Sequence, residues 1–181
     1  MGVGRVRCRH HVMGPVRRHA APFLLQLFRW ITACFPALTA WGAPVINEIH
    51  HDPPDATSKL EFVELHNPDP VAVDLAGWSL TGAISFTFPS PSVLPANGYL
   101  VVAQAPAAVR VHWAVDALGP WVGRLSGRDK TLRLRDAGGR VVDEVDYQVG
   151  FPWPTVGDPP GYSIELIDPA LDNALGGNWR A

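Results

Sequence analysis

Residues of the kinds that bind metal ions stand close together at one point of the chain. His50, His51 and Asp52 are consecutive, and His66 and Asp69 follow one expected strand later. Zinc and similar transition metals take imidazole and carboxylate ligands. Because adjacent side chains of a strand point to opposite faces, His50 and His51 can share a metal only if the strand ends between them. Two interpretations follow: a metal-dependent hydrolase fragment using His50, His51 and Asp52, or solvent-exposed histidines at a strand end.

Paired carboxylates are a second pattern with chemical potential. Two acids held at a fixed separation across a cleft can hydrolyse glycosides, and Glu48, Glu61 and Glu64 supply three carboxylates in a short stretch. Glu61 and Glu64 lie in one expected strand at positions that face opposite ways. We therefore expect structural roles for these acids, in hydrogen bonds to the backbone or to a neighbouring strand.

A loop near the C-terminus carries oxygen ligands that could hold calcium. Asp168, Asp172 and Asn173 lie in this loop, and carboxylate and amide oxygens are what calcium takes. Their spacing departs from that of helix–loop–helix calcium loops. Asp and Asn also form turns through side-chain hydrogen bonds to the backbone. We expect such a turn, and no bound cofactor.

Positive charge is concentrated in one predicted hairpin. Six of the nine basic residues after position 42 fall between positions 124 and 140, namely Arg124, Arg128, Lys130, Arg133, Arg135 and Arg140. Alternation places Arg133 and Arg135 on one face of a strand, which predicts a basic ridge. Such a ridge could meet an anionic cell-surface component or a protein partner. The alternative is a solvated hairpin whose long side chains protect an edge strand.

Two tryptophans in loops are further candidates for contact. Trp121 follows Gly119-Pro120, and Trp153 lies between Pro152 and Pro154. Loops carry function disproportionately often, and an exposed indole ring can stack on a sugar. Tryptophans between prolines can also close the end of a β-sandwich. We predict that Trp121, Trp153 and the basic hairpin form the contact surfaces, with packing as the alternative for the two rings.

Established catalytic motifs are absent from the sequence. It contains no Gly-x-Ser-x-Gly, no His-Glu-x-x-His, no phosphate-binding loop and no dinucleotide fingerprint. Residues 43–181 hold nine basic and seventeen acidic residues, a net charge of −8, and no nucleic-acid recognition motif. Nucleic acid is therefore not an expected partner, and we predict that the protein is not an enzyme.

The first 42 residues have the composition of a targeting segment. They contain six arginines and no acidic residue. An apolar stretch follows the basic region, and Ala40-Trp41-Gly42 offers small residues at the positions that signal peptidase requires. We predict a signal peptide over residues 1–42 and an exported domain, secreted or at the cell surface, over residues 43–181.

Other interpretations of this leader remain open. Met13 is a second candidate start. Arg29 divides the apolar stretch into pieces shorter than the roughly 20 residues of a membrane helix, so we expect no transmembrane segment in the mature form. The run that ends at Cys34 is similar to a lipobox, so a lipid anchor at Cys34 or an uncleaved leader are alternatives. Cys8 and Cys34 are the two cysteines, and the exported domain therefore has no disulfide.

After the leader, the sequence is typical of short strands separated by turns. Ile84, Phe86 and Phe88 alternate with polar residues, as in a half-buried strand. The segments Thr131 to Arg135 and Val141 to Tyr147 predict a hairpin across a Gly-Gly turn. Further strands are expected at Val45 to Ile49, Leu60 to His66, Val71 to Leu75, Trp78 to Leu80, Tyr99 to Ala103 and Ser163 to Ile167, with a short helical turn between Gln104 and Ala117. This pattern predicts an all-β sandwich or barrel.

Four segments together resemble the lamin tail domain family, and in particular its bacterial secreted branch. They are Val45 to Ile49, Glu61 to Asn67, Val73 to Leu80 and Leu94 to Val102. The ending from Asp168 to Asn173 and Asn178 to Arg180 is similar to that of bacterial copies. The resemblance covers about residues 44–181, and it implies an immunoglobulin-like β-sandwich with no agreed catalytic site.

The resemblance also implies a role, since family members of this kind commonly accompany enzymes in exported proteins. We therefore expect an exported, non-catalytic module for binding or tethering at the cell surface, or an accessory domain of a larger exported protein. A structural spacer and the metal-dependent hydrolase fragment are the alternatives. A chain truncated after Ala181 is compatible with either.

Overall fold

The computed structural model describes residues 42–55, 57–125, 130–154 and 161–181. Arg128, the leader up to Trp41 and Cys34 within it lie outside the described residues, as does the side chain of Lys130. The predictions made for them therefore stay predictions.

Strands dominate the described residues. They are β1 (Val45–His50), β2 (Phe62–His66), β3 (Val73–Asp74), β4 (Ser79–Gly82), β5 (Ile84–Thr87), β6 (Val93–Leu94), β7 (Tyr99–Ala103), β8 (Ala117–Leu118), β9 (Val122–Gly123), β10 (Lys130–Arg135), β11 (Val141–Tyr147), β12 (Ile164–Leu166) and β13 (Trp179–Arg180). One α-helix, α1 (Pro106–Trp113), follows β7, and a 3-10 helix at Gly176–Asn178 precedes β13. No helix among the described residues is long and apolar enough to span a bilayer.

The strands form two main sheets. The larger has the spatial order β13, β12, β1, β2, β7, β8, and the smaller has the order β11, β10, β4, β5, β9. The short strands β3 and β6 pair with each other. Neighbours are antiparallel except β7 and β8, which run parallel. The predicted hairpin is present as β10 and β11, with Leu132 opposite Val145.

One hydrophobic core is shared by the two sheets, so the molecule is a β-sandwich, as predicted. Its buried residues alternate along the strands with outward-facing polar residues, the pattern of a sheet with one solvated face. From the larger sheet they include Ile49, Val63, Leu65, Val102 and Ile164, and from the smaller sheet Leu80, Phe86, Leu132, Leu134 and Val145.

The helix α1 follows from its local sequence. Pro106 lies in its first turn, where backbone N–H groups have no partner within the helix, so the missing N–H of proline costs no hydrogen bond. Val109 is its buried residue. The helix ends at Ala114, whose φ of 57° lies in the left-handed region. An ion pair between Arg110 and Asp116 spans this end. The short helical turn expected between Gln104 and Ala117 is therefore confirmed as a helix of eight residues.

A buried carboxylate joins the two sheets. The register of β1 against β2 shifts between Ile46 and Glu48, and the Ile46 N–H donates instead to the Asp143 carboxylate of β11, at 2.7 Å. The side-chain amide of Asn173 donates to both oxygens of the same carboxylate, at 2.9 and 2.8 Å. Asp143 thus links the first strand, the edge of the smaller sheet and the C-terminal segment.

Replacing Asp143 with alanine should destabilise the fold by roughly 2–4 kcal/mol, because a buried backbone N–H and a buried amide lose their acceptor at once. Urea unfolding of the purified protein measures this. Asp74→Ala is the matched control, because Asp74 is exposed and accepts one hydrogen bond, from Ala76 N–H. It should cost less than about 1 kcal/mol. Equal losses in both variants would contradict the linking role of Asp143.

Candidate functional site

A cleft lies on the outer face of the larger sheet. Its volume is about 370 Å³, which falls within the range of small-molecule sites. Glu48, Phe62, Glu64 and Val101 line it from β1, β2 and β7, and the helix α1 lines it with Val109 and Trp113. Gly161 and Ser163, near the start of β12, complete the lining. We call this feature the acidic cleft.

Strand alternation explains why two carboxylates stand together in the cleft. In β2 the side chains of Val63 and Leu65 are fully buried in the core, so Phe62 and Glu64 face outward. Glu48 of β1 is the direct cross-strand partner of Glu64. The pairing register therefore brings two like charges side by side, an arrangement that destabilises a sheet unless a counter-charge is present.

Each carboxylate has a neutral hydrogen-bonding partner. The Ser163 hydroxyl donates to Glu48, and the Asn47 side-chain amide donates to Glu64 at 3.0 Å. Among the described residues, no lysine, arginine or histidine forms an ion pair with either carboxylate. Both acids are thus held in place without an ion pair, and the one favourable charge interaction on Glu48 comes from His50 nearby.

Burial changes the acidity of this pair. It is the main reason that the pKa of Glu48 is raised above its usual value; the Ser163 hydrogen bond opposes the rise and the charge of Glu165 adds to it. Burial also raises the pKa of Glu64, against the hydrogen bond from Asn47 and with the added repulsion of Glu48. The two carboxylates therefore hold protons to a higher pH than free side chains do.

Aromatic rings form one side of the cleft. His50 stacks on Phe62 at a centroid distance of 5.1 Å, and Trp113 meets both rings edge-on, at 5.3 Å from His50 and 5.4 Å from Phe62. The His50 ring is fixed further because its Nδ1 lies 2.9 Å from the Leu60 carbonyl and its Nε2 lies 3.3 Å from that of Gly161. Trp113 remains 38% exposed at the cleft mouth.

Comparison with known proteins assigns the fold to a family. A family model described as Lamin Tail Domain matches residues 39–148. The chain belongs to the lamin tail domain family. This family has an immunoglobulin-like fold and is not enzymatic, so the predicted immunoglobulin-like sandwich is confirmed. No curated protein matches the chain at a significant level. In this lamin tail domain, β1, β2, β7 and α1 of the acidic cleft lie inside the matched region, while β12 lies beyond it.

The predicted metal ligands are not brought together. His50 lines the cleft, whereas His51 is turned toward the core and stacks on Tyr147 at 5.4 Å. Both histidines are buried, at 1% and 3% exposure, so the expectation that they are solvent-exposed is wrong. The reason is that neighbouring rings cover them on each side of the sheet. The described residues hold no group of three His, Cys, Asp or Glu side chains able to bind a metal.

His51 is an unusual core residue in this lamin tail domain. Both of its ring nitrogens are buried without a hydrogen-bonding partner among the described residues. Burial lowers the pKa of His51, opposed by the charge of Asp52, and this favours the neutral ring. Sequence reasoning did not foresee a buried imidazole here.

Asp168 and Asp172 form separate turns. Asp168 accepts a hydrogen bond from Ala170 N–H at 2.8 Å, and Asp172 accepts one from Ala174 N–H at 3.0 Å. Both are exposed. Asn173, which was grouped with them, points instead to Asp143. Each aspartate thus has the turn-forming role that the sequence predicted.

Acidic neighbours largely neutralise the basic hairpin. Arg133 forms a two-point ion pair with Glu144 on the adjacent strand, with Nε 2.7 Å from Oε2, and Arg140 pairs with Asp136 at 3.0 Å. Arg135 donates to the Thr81 hydroxyl and the Gly139 carbonyl. Arg124 is exposed. The predicted ridge did not take β11 into account, where the antiparallel pairing places Glu144 opposite Arg133 and Val141 opposite Arg135.

The two loop tryptophans are packed. Trp121 and Trp153 are each 6% exposed and belong to the core, so neither ring forms the predicted stacking platform. Trp153 lies 5.8 Å from Trp179 and lies so close to Gly176 that a side chain there would clash with its ring. These rings close one end of the sandwich, which was the alternative interpretation.

The acidic cleft itself was missed by sequence reasoning. Alternation within β2 already placed Glu64 outward, but the same rule applied to β1 puts Glu48 on the face of the buried Ile46, because the irregularity between Ile46 and Glu48 cannot be seen in the sequence. What the sequence did not provide was the register that makes them partners, because pairing depends on contacts between distant segments. The position of α1 above the sheet was also inaccessible to local patterns.

Replacing Glu48 with glutamine should stabilise this lamin tail domain near pH 7 by about 0.5–1 kcal/mol, roughly 2–4 °C in Tm. The reason is that it removes one of two negative charges that repel each other across the strand pair. A carboxyl with a raised pKa contributes stability below its unfolded pKa of 4.5 and loses it as pH rises through the folded value. The gain should therefore vanish below about pH 4.5.

Thermal melts between pH 4 and 8 measure this difference. Glu144→Gln is the matched control, because it removes the same charge from a carboxylate that is paired with Arg133. It should lower the melting temperature slightly or leave it unchanged. A Glu48→Gln variant that is less stable than the parent at pH 7 would disprove the account.

Adding zinc or calcium after EDTA should leave the melting temperature unchanged. The ring nitrogens of His50 face carbonyl groups, His51 lies on the other side of the sheet, and Asp168 and Asp172 serve separate turns. A metal present at 100 times its dissociation constant would add about 2.7 kcal/mol. A zinc-specific rise of roughly 3–6 °C would restore the histidine site, and a calcium-specific rise would restore the aspartate loop.

Proposed function

We propose that the chain is an exported, non-catalytic binding module that acts at the cell surface. Membership of a non-enzymatic immunoglobulin-like family supports the absence of catalysis. The acid-free, arginine-rich first 42 residues, followed by an apolar stretch and Ala40-Trp41-Gly42, support export. The domain then begins at Ala43 and is secreted or held at the surface.

The observation that carries the binding role is the acidic cleft. It is open to solvent on the outer face of a rigid sheet, and it presents two carboxylates that no described cation neutralises. The four ion pairs among the described residues, including Arg110–Asp116 next to α1, involve neither Glu48 nor Glu64. A partner that supplies positive charge would therefore meet an unfilled site in preformed geometry.

A catalytic role for the same residues has less support. The ring nitrogens of His50 lie 2.9 and 3.3 Å from two backbone carbonyls, so the imidazole faces the backbone instead of a substrate. The Ser163 hydroxyl donates a hydrogen bond to Glu48, but the His50 ring nitrogens face the Leu60 and Gly161 carbonyls, so His50 does not extend this pair into a triad. Binding of a ligand, in contrast, requires no rearrangement of His50, Ser163 or Glu48.

The basic hairpin is the second surface to consider. Its arginines can still meet an anionic component of the cell surface, but Arg133 and Arg140 already have acidic partners. A contact through either of these two arginines would have to replace an existing ion pair. The acidic cleft has no such pair to break, and this difference favours the cleft as the contact surface.

Retention on isolated cell envelopes tests the proposal. The full chain is expressed, and the exported protein should have Ala43 as its first residue and should sediment with the envelopes. Glu48→Gln/Glu64→Gln should release most of it, whereas Arg133→Gln/Arg135→Gln should not. Both double variants change the charge by two units, so they control for each other.

The other outcomes each have a definite meaning. Release by the arginine variant alone would move the contact surface to the hairpin. A parent protein that never sediments would leave a structural spacer as the better account. Protein found entirely in the cytoplasm with an intact leader would refute export.

A further inference from the structure

The two carboxylates of the acidic cleft differ from two other glutamates that lie on paired strands, Glu165 and Glu144. Glu165, the other cross-strand neighbour of Glu48, forms an ion pair with Arg180 at 2.8 Å, and Glu144 has Arg133. Among the residues that the structure describes, Glu48 and Glu64 accept side-chain hydrogen bonds from the hydroxyl of Ser163 and the amide of Asn47, and from no cationic group. Glu165, Glu48 and Glu64 are neighbours across β12, β1 and β2. Glu165, outside the cleft, has an arginine partner, whereas the two glutamates inside the cleft have none.

We propose that the acidic cleft binds an organic cation, a primary ammonium group carried on an apolar stem. This inference rests on the proposed binding function and names the chemistry of its ligand. An ammonium group has three N–H donors, enough to bond both carboxylates and so offset their mutual repulsion. In the bound state one positive charge would lie between the two carboxylates and be shared by them.

The apolar and aromatic residues of the cleft match the apolar stem of such a ligand. Val101 and Val109 offer apolar contact to an alkyl stem, since long amines bury their methylene groups on apolar surface. Phe62 and Trp113 place aromatic rings beside the same space, and ring faces attract ammonium groups. Trp113 is partly exposed, so a ligand reaches its ring without unfolding the helix.

A bare metal ion fits the cleft less well. Calcium requires six to eight oxygen ligands, whereas the cleft has two carboxylates and no third acidic ligand among the described residues. A space of about 370 Å³ walled by two aromatic rings is also larger and more apolar than an ion needs. An organic cation uses the volume, the rings and the carboxylates together.

The ammonium group has two natural sources, the lysine side chain of a protein partner and a free alkylamine. The chemistry in the cleft is the same for both, and binding assays separate them. A blocked lysine, Nα-acetyl-lysine methylamide, represents the protein side chain. Cadaverine represents the free amine. The uncharged comparison is Nα-acetyl-norleucine methylamide, which keeps the stem and lacks the ammonium group.

The experiment is an NMR titration of the purified full chain with each of the three compounds at pH 7 and low salt. We expect the blocked lysine or cadaverine to bind with a millimolar dissociation constant and to shift the indole N–H signal of Trp113. The norleucine compound should bind at least about tenfold more weakly, because the charge-assisted bonds are lost. The stronger of the two amines identifies the source.

Variants locate the site. Glu48→Gln/Glu64→Gln should weaken amine binding at least about tenfold, and it should fold, since it removes repulsion. Trp113→Leu should weaken binding less, because it removes the ring and keeps an apolar wall. Glu144→Gln, on the other sheet, should bind as the parent does and so controls for net charge.

Three results would overturn the inference. They are no amine binding up to about 50 mM, well above the expected millimolar dissociation constant; equal binding of the norleucine compound; or unchanged binding in Glu48→Gln/Glu64→Gln. Envelope retention of the parent without amine binding would remove this inference and leave the binding module standing. Amine binding without retention would remove the cell-surface role and leave the cleft chemistry standing.

Discussion

The Asp143 carboxylate is the interaction on which the architecture depends. A sandwich without disulfides must fix the relation of its sheets through packing and a few directed bonds. Packing alone is non-directional, so several sliding arrangements of two apolar faces have similar energies. Asp143 selects one arrangement of the two sheets because it accepts a hydrogen bond from the Ile46 N–H. That N–H is available only where the β1–β2 register shifts. Its burial raises the pKa of the carboxyl, against the three hydrogen bonds that hold it.

The position of the C-terminal segment depends on the same carboxylate. Asn173 bonds to Asp143, and the Asn173 carbonyl accepts the indole N–H of Trp179 at 2.9 Å. Trp179 in turn packs near Trp153 at the end of the sandwich. This chain of contacts holds β12 and β13 at the edge of the larger sheet, beside β1. A segment beyond the family match at residue 148 is thereby made part of the fold.

Local sequence patterns predicted much of the fold and little of the site. Alternation in Thr131 to Arg135 placed Leu132 and Leu134 in the core, and both are fully buried. The same rule could not supply partners across strands. It therefore described Arg133 as part of a basic ridge, although Glu144 from the next strand pairs with it. Proline-flanked Trp153 illustrates a further limit, because a loop position does not reveal whether a ring faces solvent or closes the core.

The acidic cleft depends on long-range contacts from both ends of the domain. Glu48 and Glu64 meet because β1 pairs with β2, but their surroundings come from elsewhere: Trp113 from the helix after β7, and Gly161 and Ser163 from the segment leading into β12. Ser163 reaches Glu48 only because β12 pairs with β1, and the contacts of Asn173 with Asp143 hold that C-terminal segment in place. The carboxylate that joins the two sheets therefore also determines, through β12, which groups face the two half-buried carboxylates on the outer face.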